Sequence, residues 1–220
     1  MTPAVDEIRR AGVLAIVRAT DERIARADVD ALLACGVTAL EVSLVTPGAL
    51  SMIADLAGLP GLTVGVGTVM TISEVNAAAV AGATFVVSPT LNDVVVRATQ
   101  AAGMASIPGA GTVTEFALAT ALGAALVKVF PASVFGSVGV RATLAALPHL
   151  RLLPTGGVTL AQVDDYLAAG AVAVGMGSEL VRSAANAPDE LAARLALWRS
   201  REGAADSTLA NRPNGVRPVR

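Results

Sequence analysis

Ala125-Leu126-Val127-Lys128-Val129-Phe130-Pro131 is an apolar run with β-branched residues on both sides of a single charge. Such a run reads as a strand buried on both faces, the pattern of a parallel sheet. Lysine is almost never fully buried without a partner, so Lys128 needs a reason to be there. A desolvated ammonium loses its proton more readily, and the neutral amine is a nucleophile toward carbonyls. Lys128 is therefore a candidate Schiff-base lysine. The alternative is that the chain bends here and the ammonium reaches solvent along its own methylene stem.

Working outward, short β-branched runs alternate with longer helical patterns. Candidate strands are 13–18, 37–44, 62–66, 84–87, 104–107, 125–130, 151–154 and 172–174. Between them lie amphipathic or Ala-rich stretches at 23–35, 48–56, 72–81, 93–102, 113–122, 138–147 and 160–168. Strands separated by helices imply βαβ units and a parallel sheet. Thr71-x-x-Glu74 and Thr112-x-x-Glu115 fit capping boxes that start helices. Gly36, Gly82, Gly103, Gly123 and Gly170 each follow a helical stretch, as left-handed C-terminal caps do. Eight repeats predict a single α/β domain, a (β/α)8 TIM barrel over 1–203 with an extra N-terminal helix. A final helix is expected over 188–202, outside the repeat, and 204–220 is expected to be a flexible C-terminal tail. The competing architecture, a doubly wound open sheet, usually carries a Gly-x-Gly-x-x-Gly turn. Gly65-x-Gly67 meets Met70 and Gly175-x-Gly177 meets Leu180, so neither fits.

Composition narrows the function classes. Hydrophobic residues make up 54% of the 220 and charged residues 15%, against about 25% charged in a typical domain. Much of the chain must be buried, in its own core or against another subunit. Net charge is −2 and no basic cluster occurs, which argues against nucleic acid or a membrane surface as partner. One cysteine, Cys35, and one histidine, His149, cannot build a disulfide framework, a catalytic triad or a zinc cluster. His149 precedes the seventh strand, at the face away from catalysis. The acidic start Met1-Thr2-Pro3-Ala4-Val5-Asp6-Glu7 has no apolar run, so no secretory signal is expected. No run of about 18 apolar residues occurs either. The expected location is the cytoplasm.

In a (β/α)8 barrel the active site sits at the C-terminal ends of the strands. In Leu40-Glu41-Val42-Ser43-Leu44, alternation puts Glu41 and Ser43 on one face and the aliphatics on the other. If the leucines face the helices, Glu41 points into the barrel mouth, as does Lys128 between outward Val127 and Val129. One acid and one amine then converge in an apolar cavity; the alternative is a buried ion pair that only specifies structure. Gly156-Gly157 and Gly177-Ser178 stand in the two loops that commonly bind phosphate in this fold, with Ser178 opening a helix. The alternative is ordinary loop glycine, since the chain has 21. Arg18 ends the first strand and is a candidate clamp for a carboxylate; the alternative is an ordinary surface arginine at a strand end.

Eight pieces in order carry a resemblance. They are Ala15-Ile16-Val17-Arg18, Leu40-Glu41-Val42, Gly65-Val66-Gly67-Thr68-Val69, Ser88-Pro89, Ile107-Pro108-Gly109, Lys128-Val129-Phe130-Pro131, Thr155-Gly156-Gly157-Val158 and Gly175-Met176-Gly177-Ser178. With them the chain, from about Val13 to Val181, resembles the 2-keto-3-deoxy-6-phosphogluconate (KDPG) aldolases and their 6-phosphogalactonate and 4-hydroxy-2-oxoglutarate relatives. The resemblance implies a class I aldolase, without metal or cofactor and trimeric, that takes phosphorylated keto acids and pyruvate. It implies that Lys128 forms the imine and Glu41 shuttles protons. Thr68, Pro89, Phe130 and Thr155 would line the substrate pocket, and Gly156, Gly157, Gly177 and Ser178 would hold the phosphate. Two departures concern the substrate. The gluconate branch commonly has an arginine where Val45 stands here, whereas Arg18 matches the galactonate branch. Thr155 resembles the gluconate branch instead, so the preferred C4 epimer stays open. Two other functions also stay open: a phosphate-binding barrel without an imine, such as an isomerase or synthase, and a non-catalytic scaffold.

Overall fold

β1 (Val13–Val17) pairs in parallel with β2 (Ala39–Ser43), and β2 with β3 (Thr63–Gly67), aligning Ile16 with Glu41 and Glu41 with Gly65. The sheet continues through β4 (Phe85–Val87) to β5 (Ala105–Ile107), and on the other side β9 (Val174–Met176) pairs with β1. A second run of pairing joins β6 (Gly109–Ala110), β7 (Val127–Val129) and β8 (Leu152–Pro154). The two runs close on each other. β5 and β6 are one strand interrupted at Pro108, and the bridge Thr155↔Gly175 links β8 to β9. The closed parallel barrel expected from the eight repeats is present. The computed structural model describes residues 2–209, and the side chains of residues 2–199.

Alternation decides which residues face which layer. Leu40, Val42, Val64, Val66, Val127 and Val129 belong to the core between the sheet and its helices. The barrel interior is a second, smaller core, with Leu14, Phe85, Ile107, Leu126 and Leu153 among its large residues. Gly65 has no side chain to compete with the Phe85 ring, which lies where its Cβ would be. The N-terminal helix α1 (Pro3–Ala11) packs Val5 and Ile8 into this inner core and plugs the barrel at the N-terminal ends of the strands.

The outer helices are α2 (Glu22–Ala34), α3 (Ala49–Leu56), α4 (Ile72–Val80), α5 (Asp93–Ala101), α6 (Val113–Ala121), α7 (Ala132–Ala146), α8 (Val163–Ala168) and α9 (Ser178–Asn186), with α10 (Pro188–Leu209) following. A short 3₁₀ turn, Leu160–Gln162, precedes α8. The Thr71–Glu74 capping box is complete. In the second, Thr112 caps Glu115 N–H, while the Glu115 carboxylate reaches back to the Gly111 N–H at 3.0 Å. All five expected capping glycines have positive φ. Among the described residues no helix is long and apolar enough to cross a membrane.

Strand ends fall within two residues of those expected, and three differences among the elements have a physical reason. The last strand begins at Val174, because its register with Val13, Leu14 and Ala15 recruits Gly175 and Met176, which carry little strand signal. α7 starts earlier, at Ala132, and is broken at Gly136 (φ 70°, ψ 165°). α10 continues to Leu209, past the expected start of the tail, since no proline interrupts the sequence between Pro188 and Pro213; 210–220 lie outside the described residues.

Candidate active site

Glu41 is 2% exposed and Lys128 6%, both pointing inward near the C-terminal ends of their strands. Room for the Glu41 carboxylate comes from Gly67, since a Cβ there would collide with Oε1. Among the described residues, Glu41 and Lys128 form no contact ion pair, and Glu41 Oε2 is buried without a hydrogen-bond partner. Both groups line the same cavity. Lys128 Nζ stands 4.8 Å from the centroid of the Phe130 ring, and Phe130, 39% exposed, forms the rim.

Burial acts on the two groups in opposite senses. Desolvation pushes the Glu41 carboxyl above the ordinary value of 4.5, opposed by the positive charges of Lys128 and Arg18. Desolvation pulls the Lys128 ammonium below 10.5; Glu41 opposes this and Arg18 assists it. The cost of burying charge thus drives the acid toward its protonated form and the amine toward its free form. These are the two forms that imine chemistry needs at its start.

Arg18 ends β1 and donates to Thr68 Oγ1 at 3.4 Å. Thr68 Oγ1 also lies 2.7 Å from Ser43 Oγ. Thr68 has φ 65°, left-handed backbone that a β-branched residue rarely adopts. Ser43 and Arg18 together hold its hydroxyl at the mouth. Thr155 is buried, and its hydroxyl donates to Leu153 O at 3.1 Å. The backbone of Pro89 lies against Gly109, the register partner of Lys128.

A cavity of about 600 Å³ opens at this end of the barrel. Of the residues singled out in the sequence, Arg18, Glu41, Lys128, Phe130, Thr155, Gly156, Gly157, Gly177 and Ser178 line it. Thr68 and Pro89 do not line it; Thr68 is joined to it through Arg18, and Pro89 sits behind Gly109. Gly156 and Gly157 both have positive φ, and side chains there would meet Phe130 and Ser133. Their loop is anchored to α7 by Ala132 N–H to Thr155 O (2.8 Å) and Ser133 N–H to Gly156 O (3.0 Å). Gly177 precedes α9, whose free N–H groups and dipole end in the cavity beside Ser178. Backbone donors and a helix N-terminus suit an anion.

The cavity also takes in Asp28 from α2 and Thr159, Glu179 and Arg182 from the far wall, none of which stood out in the sequence. Helix residues near a barrel mouth look like any helix surface. The one usable signal was spacing, because Arg182 follows Ser178 by one helical turn. Among the described residues, no group of three or more His, Cys, Asp or Glu side chains is placed to hold a metal ion.

Known proteins share this arrangement of chain. The profile of the KDPG and KHG aldolases matches residues 5–194. A probable 2-dehydro-3-deoxy-6-phosphogalactonate aldolase of Rhizobium meliloti (strain 1021) is 36% identical over 180 residues, covering 80% of this chain and 85% of that one. A 2-dehydro-3-deoxy-phosphogluconate aldolase of Pseudomonas aeruginosa is 36% identical over 170 residues, covering 76% and 77%. The crystal structure of KDPG aldolase from Legionella pneumophila, with pyruvate captured as a covalent carbinolamine, superposes with a TM-score of 0.75 at 27% identity, covering 90% and 98%. A profile match over most of the chain, and relatives of this identity and coverage, settle descent: the chain belongs to the KDPG and KHG aldolase family of carbon–carbon lyases.

Proposed function

We propose that this protein reversibly cleaves a 2-keto-3-deoxy-6-phospho sugar acid to pyruvate and glyceraldehyde 3-phosphate through an imine on Lys128. The observation that carries the reading is that one open cavity is lined by a buried amine and by a buried carboxylate whose Oε2 has no hydrogen-bond partner. The free amine attacks C2 of the keto acid, giving a carbinolamine. Glu41 in its protonated form gives its proton to the departing hydroxyl, water leaves, and a protonated imine remains. The Glu41 carboxylate then takes the C4 hydroxyl proton, and C3–C4 breaks. The bonding pair flows into the imine to give an enamine, and the aldehyde departs. The proton on Glu41 passes to C3, and water hydrolyses the pyruvate imine to release the ketone and the free lysine. One carboxyl thus serves as acid and base in turn, which favours a pKa moved toward neutrality.

Arg18 binds the substrate carboxylate in this scheme, supported by its place on the cavity wall. Phe130, Thr155, Thr68 and Pro89 shape the pyruvate end. Gly156, Gly157, Gly177 and Ser178 hold the phosphate through backbone N–H groups, supported by the positive-φ pair and the start of α9. The enzyme takes both C4 epimers, a reading supported by Arg18 and Thr155 lining one cavity and by equal identity to relatives named for each sugar. It assembles as a homotrimer, supported by exposed Ile72, Val94, Val113, Leu118 and Val134 on successive helices α4 to α7. Sedimentation equilibrium returning the mass of three chains checks the assembly, and a monomer would refute it.

Borohydride with pyruvate tests the chemistry. Reduction should fix a three-carbon adduct on Lys128, found by peptide mass mapping; an unmodified Lys128 in folded protein would remove the mechanism. A coupled assay on the two 6-phospho epimers should give kcat/KM values within about tenfold, since tenfold is about 1.4 kcal/mol in the transition state. A gap of several orders of magnitude would restrict the enzyme to one epimer.

A further inference from the structure

We infer that Glu179 is a positioning residue that sets the gap between the two glycine loops, and so decides how strongly the phosphate of the substrate contributes to binding. The inference rests on the anion-site reading above. Glu179 stands in the first turn of α9, next to Ser178, and lines the cavity. Its Oε1 accepts the Leu160 N–H at 2.7 Å. Leu160 opens the 3₁₀ turn that follows Gly156-Gly157-Val158-Thr159.

The hydrogen bonds around this loop give Glu179 its part. The near limb is tied to α7 through Thr155 O and Gly156 O. The far limb caps itself, with Thr159 N–H and Oγ1 both donating to Gln162 Oε1, at 3.0 and 3.1 Å. Neither set of bonds relates the loop to α9. The bridge Thr155↔Gly175 joins β8 and β9 below the loops. Beyond it, among the described residues, no backbone hydrogen bond links the 156–160 loop to the start of α9. The Glu179–Leu160 bond spans that gap. A carboxylate beside an anion site opposes the anion by Coulomb repulsion. Its presence is explained by the donor it holds, and a charge-assisted bond to a backbone N–H is among the stronger ties available.

The test is a KM comparison on the phosphorylated keto acid and its unphosphorylated counterpart, with wild type, Glu179→Ala and Glu179→Gln. Glu179→Ala should raise KM for the phosphorylated substrate about tenfold, the size of one lost hydrogen bond at about 1.4 kcal/mol. It should leave kcat within about twofold and KM for the unphosphorylated acid unchanged. Glu179→Gln keeps an acceptor without the charge and should restore the phosphorylated KM to the wild-type value or below it. Should the alanine variant not fold, Glu179→Asp, one methylene short of Leu160, takes its place. Equal KM increases for both substrates, or a glutamine variant that behaves like alanine, would overturn the role of Glu179. A wild type that discriminates between the substrates, with an alanine variant that discriminates equally, overturns Glu179 alone. A wild type without any preference for the phosphate overturns the anion site and this role with it.

Discussion

The two ends of the barrel interior are built from the same strands and follow opposite rules. At the N-terminal end, Leu14, Phe85, Leu126 and Leu153 meet Val5 and Ile8 of α1 in a closed apolar core. At the C-terminal end, a few residues further along those strands, Glu41, Lys128, Ser43 and Thr155 are equally buried. There Thr68 takes a strained backbone conformation, and a carboxylate oxygen lacks a partner. The lower layer stabilises the fold and the upper layer spends part of that stability on chemistry, as strain and unpaired polar groups do at active sites. Residues at one end should therefore report on stability, and residues at the other on turnover.

The sharpest way to break this comparison is Lys128→Met, which keeps the aliphatic stem and removes the nucleophile. Cleavage should fall by about 10³-fold or more, the scale of losing a covalent route, with the far-UV circular dichroism unchanged. Measurable cleavage near the wild-type rate would point to a barrel enzyme without an imine. Next in size is Phe85→Ala in the lower layer. It should cost about 3–5 kcal/mol of unfolding free energy in urea and leave kcat of the folded protein unaltered. A large drop in kcat there would mean that the two layers are not separate.

Gly67→Ala crosses the boundary from below by placing a methyl group against the Glu41 carboxylate. Moving a proton-transfer group by about 1 Å should lower kcat about 10²-fold, read at saturating substrate. Arg18→Ala should raise KM about tenfold for every keto acid, phosphorylated or not, as loss of one charged hydrogen-bonding partner does. An unchanged KM would return Arg18 to the role of a strand-end residue.

The smallest expected effect is in the pH profile. In the proposed scheme Lys128 attacks unprotonated, and burial holds its ammonium below 10.5; burial holds Glu41 above 4.5. The profile of kcat/KM should be a bell, with an acid limb below the range of an ordinary lysine and an alkaline limb above that of an ordinary glutamate. The negative charge of Glu41 raises the lysine value, so Glu41→Gln should move the acid limb of pyruvate trapping to lower pH. A shift to higher pH would show that Glu41 is not the charge Lys128 senses.

How much of this was legible before folding follows from the range of each signal. Lys128 within an aliphatic run and Glu41 alternating with Leu40 and Val42 are local patterns, and local patterns survive into the structure. The alternation that built the barrel is local too. The break at Pro108 was not visible as such. Proline donates no hydrogen bond, yet its carbonyl still accepts the Lys128 N–H at 2.9 Å, so the strand continues past it as β6. The start of β9 was set by pairing with β1, information that lies at the other end of the chain. The outer cavity wall was equally hidden. Glu179 reads as an ordinary acid at a helix start, and only the packing of α9 beside the 3₁₀ turn reveals its partner. Thr68 and Pro89 sit beside the cavity but behind its surface, a distinction of depth that one-dimensional spacing does not carry.

The stopper formed by α1 has a consequence for traffic. α1 closes the far end of the barrel, the cavity opens at the other, and the lysine is more deeply buried than the glycine loops beside it. If Lys128 holds the three-carbon fragment as proposed, the aldehyde fragment would depart before that fragment is freed. In the reverse direction of the proposed scheme, pyruvate would load first and wait, bonded to Lys128, for a second visitor. Depth and the proposed covalent bond would then order release and loading, last in and first out.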